Sequence, residues 1–172
     1  MKSKTLGAVG AILLTGAGLV ALALPVPGQA AEHRHAAHEH EHGHEGAPAA
    51  LQLNAGRKWE TDAALRQSMG AIRRNMAAAL HDIHERRLPP AGYDALARKV
   101  EREVGEIVAH CKLEAKADAQ LHLVVADLLA GAGQMAAKAK PDARRKGAMK
   151  VLGALEQYGA YFDDPDYKPI SH

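Results

Sequence analysis

Between Thr61 and Phe162, apolar residues recur at steps of three and four in four successive stretches separated by turn-forming residues. That step places them on one face of an α-helix, whereas a half-buried strand needs alternation at every second residue. The first stretch is capped by Thr61 or Asp62 and carries Leu65, Met69, Ile72, Met76, Leu80 and Ile83 before Pro89-Pro90 stops it. The second, from about Ala91 to Leu113, aligns Tyr93, Leu96, Val100, Val104, Ile107 and Cys111. The third, capped by Asp118, aligns Leu121, Val125, Leu128, Ala132 and Met135. The fourth opens on Pro141 with Asp142 in its first turn and runs through Ala148, Val151, Leu155 and Phe162 to the Asp163-Asp164-Pro165 breaker. Short links make consecutive helices neighbours, so the expected fold is all-α, an antiparallel up-down-up-down four-helix bundle over residues 57–165 with a C-terminal tail at 166–172. Only 3% of the residues are aromatic, which leaves little of the material that sheets draw on.

Ahead of the bundle, Lys2 and Lys4 precede an apolar run from Leu6 to Leu24, then Pro25, Pro27 and the small-x-small triplet ending at Ala30. This is the order of parts in a signal peptide, with cleavage expected after Ala30 and the mature protein in the periplasm or secreted. An uncleaved membrane anchor is the other reading of the same run; after cleavage no stable membrane span is expected. No cysteine stands directly after the run, so a lipoprotein anchor is not expected.

Residues 31–56 have no apolar period and read as a disordered tail. Of the chain's eleven histidines, six fall here: His33, His35, His38, His40, His42 and His44, interleaved with Glu32, Glu39, Glu41 and Glu45. Imidazoles spaced this way on a flexible chain can wrap a Cu(II), Ni(II) or Zn(II) ion while the carboxylates add attraction. A solvated linker is the plainer reading.

Basic side chains number 22 and acidic ones 20, giving +2 overall. Phosphate neutralisation along nucleic acid needs a broad basic surface, so no nucleic-acid partner is expected. The single cysteine excludes an internal disulfide, a CxxCH haem attachment and any all-cysteine metal site. No GxSxG, HExxH or phosphate loop is present, and an enzyme is not expected.

Alternating helix direction brings the start of the first helix, the end of the second, the start of the third and the end of the fourth to one pole. Met69, Cys111 and His122 should meet there beside Trp59, Tyr158, Tyr161 and Phe162. A thiolate, an imidazole and a thioether form a soft set that favours copper, with His110 as a fourth ligand. Cys111 on a core stripe is equally what a small buried hydrophobe looks like, and Met69 what a packed seam looks like. His81 and His84, one turn apart at the end of the first helix, fit either a second metal pair or cations favoured by the helix dipole.

The segments KWETDAALRQSMGAIR, CKLEAKADAQLH and YGAYFDD resemble those of small exported bacterial proteins with histidine-rich N-termini, over roughly residues 57–165. The bundle is similar to the cytochrome b562 and cytochrome c-prime architecture, in which a cofactor sits between the start of the first helix and the end of the fourth. Met69 roughly matches the helix-one methionine ligand of the b562 type. The fourth helix has no CxxCH and no histidine near Tyr158, so haem b would need His122 or His110 in place of the usual second ligand. The expected function is therefore an exported copper-handling protein. A b-type haem electron-transfer bundle and a cofactor-free binding or stress module are the alternatives.

Overall fold

The computed structural model describes residues 50–136, 138 and 140–171. The expected signal peptide and the histidines at 33–44 lie outside these residues. Helix α1 spans Ala63–His84, α2 Pro90–His110, α3 Ala115–Ala136 and α4 Pro141–Tyr161; two-residue strands β1, Trp59–Glu60, and β2, Phe162–Asp163, flank the set. Asp62 caps α1 by accepting from the Leu65 N–H at 2.7 Å, and prolines open α2 and α4 at positions whose N–H would be unpaired anyway. Past α1, Arg86 takes a left-handed φ of 55° and ends the helix where a glycine more often stands.

Two boundaries differ from the sequence expectation. Helix α3 begins at Ala115: the Glu114 carbonyl accepts from Asp118 N–H and its carboxylate from Ala117 N–H, so Asp118 lies in the first turn instead of capping it. Helix α2 ends at His110, and Cys111 is an extended C-cap with ψ 136°.

The four helices pack as a bundle, and contacts at the ends give their directions. At one pole Asp62 of α1 accepts from Lys112, just past α2, while Trp59 of β1 pairs in parallel with Phe162 of β2. At the other, Arg86 after α1 meets Asp142 of α4, and Arg144 of α4 bonds Asp94 of α2 and the Met135 carbonyl of α3. Consecutive helices therefore run in opposite senses. The most extensive pairing is α3 with α4, where Gly131 and Gly147 face each other's backbones.

Leu65, Met69, Ile72, Met76, Leu128, Met135, Leu155 and Tyr158 are fully buried in the shared core. Material outside the expected bundle bounds also packs on it. Leu51 rests against the core, Gln52 bonds Gln120 through its N–H, and the Trp59 indole donates to the Gln52 carbonyl at 2.6 Å. At the C-terminal end the Tyr167 hydroxyl bonds the Leu155 carbonyl, and Ile170 packs on the core.

Candidate metal centre at the bundle pole

Asp62 is the hub of the pole. One carboxylate oxygen caps α1; the other accepts from Lys112 N–H at 2.6 Å, and the Cys111 thiol donates to the same carboxylate. Burial alone would raise its pKa, but the bonds from Leu65, Lys112 and Cys111, with the charge of Arg66, outweigh it and hold the carboxyl below its ordinary value. Burial, the negative Asp62 and, more weakly, Asp118 push the half-buried Cys111 thiol up to about 11. At neutral pH it is a protonated donor, whereas the metal ligand is the thiolate.

The other expected ligands are spread around it. Met69 is fully buried on α1. The His122 side chain is 72% exposed, with Nδ1 donating to the Asp118 carbonyl at 2.8 Å and lying 3.5 Å from the Asp118 carboxylate. His110 is exposed as well, its Nε2 3.3 Å from Glu106 one turn back on its own helix. The end of α2 and the start of α3 do share a pole, and Asp118 faces both Cys111 and His122 electrostatically. Among the described residues, however, no three His, Cys, Asp or Glu side chains converge as a metal-holding group. His81 and His84 are exposed in the last turn of α1.

Inside the same pole the aromatic side chains are buried against one another. Tyr158 and Phe162 are buried and stacked with centroids 5.5 Å apart, Tyr167 meets Tyr158 edge-on at 5.1 Å, and Leu65 and Trp59 are buried in the same core. The Tyr158 hydroxyl donates to Asp164 at 2.9 Å, and burial followed by that carboxylate drives its pKa far above the ordinary value.

One feature of the pole escaped the sequence reading: a cleft of about 860 Å3 on the outer side of Asp62, lined by Arg57, Lys58, Glu60, Lys112, Glu114 and Lys116 among others. Asp62 and Asp163 line it as well, so that four basic and four acidic side chains surround it. Its only trace in the sequence is the mixed charge of RKWE and KLEAK, a pattern that also describes any solvated surface.

No helix among the described residues is long and apolar enough to cross a membrane. No protein-family model, curated protein or solved structure matches the chain. What the fold and pole define is a four-helix bundle whose single thiol is committed to a helix cap.

Proposed function

We propose that this is an exported, copper-handling protein in which the histidine run gathers the ion and the bundle is the body that carries it. The observation behind the reading is the run itself: six imidazoles, His33 to His44, alternating with carboxylates. Residues 1–30 act as the export signal, removed after Ala30.

In this reading the bundle set is the minor partner. For Cys111, His122, Met69 and His110 to hold an ion together, the thiol must leave Asp62 and lose its proton. His122 must also turn from Asp118, and Met69 must leave a closed core. The set would contribute only where copper binding repays those costs. The filled aromatic pole favours the cofactor-free alternative over a b-type haem.

Copper titration of the exported protein tests this. Replacing the six run histidines by Asn removes most bound copper, while Cys111→Ala leaves stoichiometry and affinity as in the parent. Full stoichiometry in the histidine variant would overturn the reading, and parent protein that binds no copper at all would favour the cofactor-free module.

A further inference from the structure

Helix α3 is apolar on both sides. Its inner face buries Ala117, Leu121, Val124, Leu128, Gly131, Ala132 and Met135. The opposite face carries Ala115, Ala119, His122, Ala126, Leu129 and Gly133, all exposed, with Leu129 43% open where Leu65 and Leu128 of the core are at zero. These six, continued by Ala136, follow steps of four and three without a break, which is a complete heptad seam pointing away from the bundle. Beyond Asp118 the only charge on α3 is Asp127, and it is paired with Lys150 of α4 at 2.7 Å. Met149 of α4, also exposed, stands level with Leu129 in the register set by Gly131 and Gly147. A helix apolar all round is normally covered, and small seam residues allow a covering helix to come within about 8 Å.

We propose that the cover is a second copy of this chain, with the two α3 helices antiparallel about a two-fold axis at Ala126. The seam is self-complementary in that arrangement, as a two-fold interface requires. His122 meets the partner's Leu129, Ala119 meets the partner's Gly133, and Ala115 meets the partner's Ala136. Charge favours the same direction. Glu114 and Asp118 stand at the start of α3 with Lys116, and Lys138 and Lys140 follow its end, so an antiparallel pair sets the acidic start of one α3 beside the basic segment after the other. A parallel pair would instead set Glu114 against Glu114 and Lys138 against Lys138. This proposal does not depend on copper.

Sedimentation velocity over concentrations reaching the order of 100 μM reads the association directly. The protein sediments as a dimer there; Ala126→Glu, which sets two carboxylates face to face at the axis, weakens dimerisation by about tenfold or more with unchanged helicity. Lys138→Glu weakens it and Lys138→Glu with Glu114→Lys restores it. In a Cys111→Ser background, Ala126→Cys oxidises to a dimer linked through Cys at that one position. A monomer at all concentrations overturns the proposal: if the introduced thiol resists alkylation the chain covers its own face, and if it reacts freely the face is bare. A dimer indifferent to Ala126→Glu and Lys138→Glu overturns it too, because the contact then lies elsewhere.

Discussion

The Cys111 thiol donates to the Asp62 carboxylate that caps α1, so the end of α2 and the start of α1 share one anion. Asp62→Asn keeps an acceptor for the Leu65 N–H and removes the charge that opposes thiolate formation. The thiol pKa should fall from about 11 toward its ordinary value, read as a shift of the alkylation-rate profile to lower pH. Asp62→Ala makes the same shift and in addition loses the cap, at about 1 kcal/mol by urea denaturation. An unshifted profile in both variants would mean that burial alone sets the thiol.

The same pair shapes stability at both ends of the pH scale. Asp62 titrates lower folded than unfolded, so its contribution is present above its ordinary carboxyl value of 3.8 and drains away as pH falls below it. Cys111 is an acid whose folded pKa is raised. The unfolded thiol ionises near 9.0 while the folded one waits until about 11, so stability declines as pH rises through that window. Tyr167, pushed up to about 12 mainly by burial, extends the decline further. Thermal melts of Cys111→Ser should show a shallower loss between about pH 9 and 11 than the parent does.

The helical body was legible in the sequence because Leu65, Met69, Ile72 and Ile83 obey one period, Pro89-Pro90 marks where the first helix must stop, and Pro141 marks a start that a helix opening tolerates. The start of α3 was missed because Asp118 is a better capping type than Glu114, and the choice between them rests on which carbonyl and carboxylate the chain presents. The pole was legible only as a neighbourhood. Chain direction brought Cys111 and the first turns of α3 together, but it does not say which way His122 turns, and in a helix one residue of offset rotates a side chain by about 100°. Asp62 as hub was invisible for a related reason: its role as cap was readable locally, while its bonds to Cys111 and Lys112 join residues far apart in sequence.

Gly131 and Gly147 hold α3 and α4 at a distance that admits no side chain. A Cβ on Gly131 would stand 2.7 Å from the Gly147 carbonyl oxygen, and one on Gly147 would stand 2.6 Å from that of Gly131. Backbone cannot yield cheaply, so either glycine to alanine should cost about 1–3 kcal/mol in denaturant unfolding. Gly105 and Gly153 meet nothing within 4 Å, and alanine there should stabilise the helix by about 0.5–1 kcal/mol.

Arg144 ties three helices at the pole opposite Cys111. Its side chain is only 10% exposed, and one guanidinium nitrogen reaches Asp94 at 2.6 Å and the Met135 carbonyl. Arg144→Met preserves much of the apolar stem and leaves both acceptors unmatched, a cost of roughly 1–3 kcal/mol. Asp94→Asn should cost less, because the amide still accepts from Arg144 and Asp94 is more open to water. Equal losses in the two variants would indicate that the Met135 carbonyl finds another donor.

Proton competition gives the copper reading its sharpest signature. An imidazole must be neutral to bind, and with ordinary values near 6.5 the run histidines charge as pH drops below about 6. Each ligating imidazole then has to release a proton, so copper affinity should fall steeply between about pH 7 and 5.5, by more than one decade per unit if several act together. Isothermal titration in two buffers of different ionisation enthalpy counts those protons directly. A thiol-centred site would behave differently: with Cys111 protonated up to about 11, its affinity would keep rising above pH 8, long after every imidazole is neutral. Affinity that levels off near pH 8 in both the parent and Cys111→Ala assigns the ion to the histidine run, while continued growth in the parent alone would return it to the bundle pole.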